Sequence, residues 1–512
     1  MHIALVGCRP LCAREIGLGI HEFQVVAPYN TRNTLSRRHV NQGASPFMPL
    51  FDLVVRGGTV VSGAGERIAD IAISDGQVIE VGGNLAEGAT TIDATGKVVL
   101  PGGIDAHLHF NEPGRASWEG WNTGSRALVA GGITTGIEMP LNAHPPTLDR
   151  ASFETKVEAA VGTSFADFAL WGGLTPDNLE ALPELAEAGV IGFKAFMSSS
   201  GTDDFRRAGD DTLYQGMLFA AEAGLPVAVH AENDAITADL AARAQRDGRT
   251  SMRDYLNSRP LVAELEAIGR AITLAEATGS ALHIVHVSTG RGVALVAEAR
   301  ERGVDVTCET CPHYLMFTDD DAERIGALAK CAPPLRDAEI RESLWDSLLQ
   351  GEIDVIASDH SPAPPDMKEG DDYFRIWGGI SGCQHLLPVI LTAGLERGVT
   401  LPELARLVST NVAQRFRLPG KGEIAPGFDA DLAIVERREA GPIPRELVQY
   451  RHPHCAWDTV PVEHQVVFTI VRGEVVFGNG AIGRRPPSGR LIAGPFRHGG
   501  GQRNAPSVMV SR

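Results

Sequence analysis

The chain has 512 residues, with 64 Asp and Glu against 46 Lys and Arg and a formal net charge of −18 at pH 7. That acidic balance argues against a nucleic-acid partner, which needs a basic face, and no run reaches the ~18 apolar residues that a membrane span requires. Seven scattered cysteines, an odd number in a long chain, point to a reducing compartment and a cytoplasmic location rather than a disulfide framework.

In chain order, Met1–Pro49 comes first and carries Arg9, Arg14, Arg32, Arg37 and Arg38 against Glu15 and Glu22, with little hydrophobic periodicity. Leu18–Val26 is interrupted by His21, Glu22 and Gln24, so the segment lacks the apolar core of a signal peptide. It is expected to be a disordered extension of little functional weight. Asp52–Val61, Ile68–Val81 and Thr90–Val99 then read as short strands separated by glycine turns.

From Val98 a strand–helix alternation sets in. Apolar runs at Val98–Phe110, Gly132–Met139, Phe165–Leu174, Val190–Met197, Pro226–Glu232, Ala281–Ser288, Val304–Cys311 and Ile353–His360 predict strands. Ala- and Glu-rich stretches at Ala151–Val161, Thr212–Ala223, Leu261–Thr278 and Gly290–Arg302 predict helices between them. Eight such strands predict an α/β protein with a TIM-type (β/α)8 barrel over residues 101–419. Asp431–Glu436 and Val466–Gly478 are strands again, so 50–100 and 420–480 are expected to form one small β-sandwich built from both ends of the chain. Residues 481–512 are rich in Gly, Pro, Arg and Ser and are expected to be a disordered tail.

Barrels of this type carry their chemistry at the carboxyl ends of the strands, and there the polar residues gather. Gly103-Ile104-Asp105-Ala106-His107-Leu108-His109 closes an apolar run with two imidazoles. Residues two apart in a strand share a face, so His107 and His109 reach a common point, an opening for Zn²⁺, Co²⁺, Mn²⁺ or Fe²⁺. His230, His286 and Asp359 end the fifth, sixth and eighth strands. Lys194 stands inside the apolar run Val190–Met197, in a chain with only six lysines. A desolvated lysine sheds its proton readily, and the neutral amine can take up CO₂ to give an anionic carbamate that bridges two metals. The alternative, a lysine snorkelling to the barrel mouth, loses ground to the histidines and aspartate at neighbouring strand ends. Cys308-Glu309-Thr310-Cys311 is a C-x-x-C without a second pair to complete a zinc site, and reads as strand packing.

Together His107-x-His109, Gly192-Phe193-Lys194, His230 in VAVHAEN, His286 in HIVHVS and Asp359 in IASDHSP resemble the cyclic amidohydrolases of the amidohydrolase superfamily over Phe51 to Asn479. That group contains dihydroorotases, hydantoinases and allantoinases. The resemblance implies that His107, His109, a carboxylated Lys194 (N6-carboxylysine) and Asp359 bind one metal, and that the carbamate with His230 and His286 binds a second. Zinc is the expected ion, with Co, Mn or Fe as alternatives. Two cations roughly 3.5–4 Å apart acidify a water and polarise a carbonyl, and Asp359 would exchange the proton between that water and the leaving nitrogen. The resemblance also implies a homotetramer, and it gives His313, in CPHYL, no ligand role.

Departures within the group narrow the substrate. Dihydroorotases place an arginine where this chain has Asn111; an amide cannot pair bidentately with a carboxylate, but it matches the donors and acceptors of amides and ureas. Hydantoinases place a tyrosine shortly after the bridging lysine, and Ala195–Asp204 contains none. His109-Phe110-Asn111-Glu112-Pro113-Gly114-Arg115, Trp118-Glu119-Gly120, Lys330-Cys331-Ala332-Pro333-Pro334-Leu335-Arg336 and Trp377-Gly378-Gly379-Ile380 resemble the allantoinase subfamily. That resemblance implies opening of allantoin to allantoate, with the ring held by Asn111 and by backbone at Ala332, Gly378 and Gly379. The alternatives are a hydantoinase or dihydropyrimidinase, which would share the metal site and differ in the loops, and a non-catalytic scaffold of the same fold, which would be expected to have lost ligands. The expected partner is a small molecule, with neither nucleic acid nor membrane.

Overall fold

The computed structural model describes residues 50–496, so the expectations for Met1–Pro49 and for the last residues of the tail lie outside the described residues. The strands are β1 (Phe51–Ser62), β2 (Gly65–Ser74), β3 (Gln77–Gly82), β4 (Gly88–Asp93), β5 (Val98–Pro101), β6 (Gly103–Leu108), β7 (Ile133–Glu138), β8 (Asp167–Leu170), β9 (Gly172–Gly173), β10 (Phe193–Phe196), β11 (Val227–His230), β12 (Leu282–Ile284), β13 (Val306–Thr310), β14 (Val355–Ile356), β15 (Leu432–Gly441), β16 (Val462–Val471), β17 (Glu474–Gly478) and β18 (Ala481–Ile482).

β6, β7 and β8 pair in parallel, and so do β9 through β14 in sequence order. Only Trp171 separates β8 from β9; its N–H donates to the Glu138 carbonyl at 3.0 Å, so the two segments act as one strand. The ring closes where Leu108 and His360 form a parallel bridge and the His109 N–H donates to the His360 carbonyl at 2.8 Å. This is the TIM-type barrel, with eight strands in the expected order. Helices at Arg150–Ala160, Asp210–Ala223, Leu261–Thr278 and Gly290–Glu301 depart from expectation by no more than end fraying. Apolar side chains including Ile104, Ile137, Trp171, Ile191 and Val285 form one of the buried clusters beneath the site.

The single run Val98–Phe110 is cut at Gly102. β5 pairs with β1 and β15 in the outer sheet, whereas β6 opens the barrel. A Cβ at Gly102 would lie 2.2 Å from Thr134 Oγ1, so only glycine lets the chain pass from one sheet to the next at this separation. Likewise Ile68–Val81 is a β2–β3 hairpin that turns at Asp75 and Gly76, both at positive φ. The outer sheet runs β18-β17-β16-β15-β5-β1-β2-β3, with β4 on β1, and so joins strands from both ends of the chain. Its core holds Leu53, Val55, Ile71, Val99, Leu432 and Ile434, each burial worth roughly 1.5–3 kcal/mol.

Buried charge ties this sheet to the barrel. Lys421 Nζ lies 2.6 Å from Asp167 of β8, 2.7 Å from Asp431 and 2.9 Å from Asp429. Burial acts to lower the Lys421 pKa, but the Asp431 and Asp167 charges outweigh it and hold the ammonium above its usual value. These three carboxylates are close enough to hold a cation; the ammonium is the cation they hold.

The end of the chain departs from expectation up to Phe496. Gly489 N–H donates to Ser164 O, Phe168 N–H to Arg490 O, Ile492 N–H to Phe168 O and Gly494 N–H to Gly189 O, all at 2.7–2.9 Å. The glycines that suggest disorder in the sequence serve close approach here. A Cβ at Gly489 would sit 2.1 Å from Ala166 O, and one at Gly494 2.0 Å from Val190 O. No described helix is long and apolar enough to cross a membrane.

Candidate active site

At the carboxyl ends of β6 and β14 the structure brings His107, His109 and Asp359 together. Asp359 Oδ1 lies 3.2 Å from His107 Nε2 and 3.5 Å from His109 Nε2, and the three offer ligand atoms within 4.8 Å of one another, a group able to hold a metal ion. Burial acts to raise the Asp359 pKa, but its interactions with His107, His109 and His286, among them a hydrogen bond from His109, hold it far below the usual carboxylate range. Asp359 and His286 both adopt positive φ, 45° and 41°, a region sparsely used by residues other than glycine and costing of order 1–3 kcal/mol each. The fold holds both side chains against a local preference.

Next to this group stand His230, His286 and Lys194. His230 Nδ1 lies 3.0 Å from His286 Nε2, and the His286 ring centroid is 5.5 Å from that of His107, so the two groups adjoin. His230 stacks on Phe196 at 4.6 Å. Lys194 is fully buried, and among the described residues neither its Nζ nor His286 Nδ1 has a hydrogen-bond partner. Burial pushes the Lys194 ammonium down to about 8. A buried amine with no protein partner is costly. Together with four imidazoles and a carboxylate, it makes a donor set that fits divalent ions taking nitrogen and oxygen ligands.

Two carboxylates behind the histidines set their orientation. Glu309 Oε1 lies 2.6 Å from His107 Nδ1, and its Oε2 lies 3.1 Å from His283 Nε2. Glu232 Oε2 lies 2.7 Å from His230 Nε2 and pairs with Arg259. Burial acts to raise both carboxyl groups, yet His107 with His283, and Arg259 with His230, bring each down to about 2. Burial conversely lowers the pKa of His107 and of His230. Each ring presents one nitrogen to its carboxylate, Nδ1 of His107 and Nε2 of His230, and turns the other towards the neighbouring group, Asp359 for His107 and His286 for His230, the arrangement in which a carboxylate orients a histidine.

Neither glutamate was among the expected site residues. Glu309 stands between Cys308 and Cys311, whose thiols are free and buried, and the criterion that singles out Lys194, an ionisable residue in an apolar strand, applies to it equally. Glu232 shows the strand-end i, i+2 spacing from His230. His313 is buried, with neither ring nitrogen partnered among the described residues, and burial pushes it down to about 4.

A cavity of about 410 Å³ opens over the cluster, lined by His107, His109, His230, His286 and Asp359 and by Ala332, Gly378 and Gly379. Asn142, Ser199, Ser200, Arg259, Lys330 and Trp377 complete much of its wall. Asn111 is not part of that wall: it is fully buried, at φ 65°, with Nδ2 3.4 Å from Pro362 O. Its carbonyl accepts the Arg115 N–H at 3.0 Å, and Arg115 in turn reaches Asn142 O at 2.7 Å and Asp204 at 3.0 Å. Asn111 thus shapes the loop behind the wall, and Asn142 occupies the wall itself.

The sequence model of the amidohydrolase family matches residues 98–476. An allantoinase of Rubrobacter xylanophilus is 59% identical over 447 residues, 87% of this chain and 98% of that protein. An allantoinase of Deinococcus radiodurans is 50% identical, with 86% and 98% covered. Among solved structures, an L-hydantoinase (dihydropyrimidinase) from Arthrobacter aurescens superposes with a TM-score of 0.84 at 36% identity, covering 87% of this chain and all of that one. A D-hydantoinase (dihydropyrimidinase) from Thermus sp. gives 0.81 at 28% identity, with 86% and 99% covered.

Proposed function

This chain belongs to the amidohydrolase family, and from that premise we propose that it opens the hydantoin ring of allantoin at its acyl C–N bond with water, giving allantoate. The observation that carries the reading is a set of donors, His107, His109, His230, His286 and Asp359, lining one cavity with the buried Lys194 beside them, in a chain that shares more than half of its aligned residues with an allantoinase.

His107, His109, Asp359 and Lys194 would hold one divalent ion, and Lys194, His230 and His286 a second, with Lys194 carboxylated by CO₂ to bridge them. Zinc is the first expectation, and Co, Mn and Fe are the alternatives. Such ions, when bound, polarise the scissile carbonyl and bring the pKa of water towards neutrality. Asp359, kept ionised by the surrounding imidazoles, accepts the proton of the attacking water and returns it to the leaving nitrogen. Glu309 and Glu232 fix the rings of His107 and His230. Backbone at Ala332, Gly378 and Gly379 meets the amide and urea groups of the ring, and Asn111 acts through the loop it holds. The same reading has the enzyme working in the cytoplasm as a homotetramer.

A hydantoinase or dihydropyrimidinase reading fits less well, because Ser199, Ser200 and Gly201 line the cavity in the segment where hydantoinases carry their tyrosine. The test is kcat/KM for allantoin, hydantoin, dihydrouracil and dihydroorotate on metal-analysed protein. Allantoin should be the best substrate; preference for another ring would replace the reading.

A further inference from the structure

The cavity wall at Gly378 and Gly379 is shaped by two ammonium groups that have no carboxylate partner within salt-bridge distance among the described residues. Lys330, only 6% exposed, donates to the Ile376 carbonyl. Lys368 donates to the carbonyls of Gly379 at 2.6 Å, Trp377 at 3.0 Å and Ala327 at 3.3 Å. The segment is also pinned by its own amides: Trp377 N–H donates to Met367 O at 3.0 Å and Gly379 N–H to Lys330 O at 2.7 Å. Gly378 N–H makes no hydrogen bond among the described residues, and Gly378 lines the cavity.

Burying an amine away from an anion is expensive, and here the buried Lys330, whose Nζ also lies 4.5 Å from the Tyr255 ring centroid, and the partly buried Lys368 are placed against one short segment. Every acceptor given to them is a main-chain carbonyl. We propose that Lys330 and Lys368 are positioning residues for substrate recognition: they draw the carbonyls of Ile376, Trp377 and Gly379 onto themselves and so leave the Gly378 N–H to bind a ring carbonyl. The wall then presents an N–H donor with both lysine side chains behind it, suited to a neutral ring bearing carbonyl oxygens. Gly379 permits the turn; at φ 139°, a Cβ there would lie 2.3 Å from Ser361 O. The identity of the ring rests on the allantoin reading, whereas the staple itself does not.

The experiment combines steady-state kinetics on allantoin with amide hydrogen exchange over residues 367–380, for wild type, Lys330→Met, Lys368→Met and Lys368→Arg. In Lys368→Met the Trp377 and Gly379 amides should exchange faster, and KM should rise by about tenfold or more with kcat and metal content little changed, as expected when charge-assisted hydrogen bonds that support binding are lost. Lys368→Arg keeps N–H donors and should recover most of both effects. A KM within about twofold of wild type, or an unchanged exchange pattern, overturns the proposal. If Lys330→Met does not fold, Lys368→Met decides alone, since that side chain is only partly buried. If wild-type protein does not turn over allantoin, the functional reading has failed, and the exchange comparison still decides the staple.

Discussion

His107 Nδ1 lies 2.6 Å from Glu309 Oε1, and both side chains are at most 1% exposed. The same carboxylate takes His283 Nε2 at 3.1 Å and the His286 N–H at 3.3 Å, so one buried anion serves both candidate ligand groups. Glu309→Gln keeps the shape and loses the charge. Metal affinity should fall roughly 10- to 100-fold, the usual cost of losing a group that orients a ligand, as read by competition with a chelator. Unchanged affinity would show that the ring is oriented by something else.

Lys194→Ala should lose bound metal and activity together, with partial rescue by a short carboxylic acid supplied in solution. Metal content by mass spectrometry and allantoin turnover are the readouts. A variant with full metal and full activity would remove Lys194 from any bridging role.

Asp359→Asn retains an oxygen donor but cannot accept the proton, so kcat should drop by about 10²–10⁴-fold. Metal loss should be smaller than in His230→Ala. Near-normal turnover would mean that the proton passes through another group.

Lys330 gives a pH dependence of stability. Burial, reinforced by the charges of Arg259 and Lys368, pushes its ammonium down to about 7, whereas an unfolded lysine keeps its proton to about 10.4. Between those values the unfolded chain binds more protons, so the contribution to stability rises with pH; below about 7 the full cost of burying the charge is present. Urea midpoints taken at about pH 6 and about pH 9 should therefore rise more in wild type than in Lys330→Met. Parallel changes in the two proteins would show that Lys330 stays protonated when folded.

The barrel was legible because each of its strands is an apolar run bounded by helix or turn signals, and hydrophobic pattern is what a sequence displays best. The break at Gly102 was not, because Val98–Ile104 carries no polar side chain, and the close approach of Thr134 that requires glycine there is a contact between residues distant in the chain. Candidate ligands such as Lys194 are visible as polar residues in apolar strands. Glu309 escaped because two cysteines drew the reading towards packing, and because its partner His107 lies 202 residues away. Asn111 is expected at the substrate because it stands where dihydroorotases carry an arginine; its side chain is buried, with Nδ2 3.4 Å from Pro362 O, and it is not among the residues lining the cavity, a placement that its neighbours in sequence do not announce.

The pairing of Phe168 with Arg490 and Ile492 has a consequence for how the protein is made. Asp167 and Arg490 are joined across 323 residues, so the base of β8 stays unfinished while most of the barrel has already left the ribosome. At about 5–20 residues per second, that is a wait on the order of tens of seconds, during which an open backbone edge is exposed to other nascent chains. The foot of β8 can therefore be sealed only once the last part of the described chain has been made.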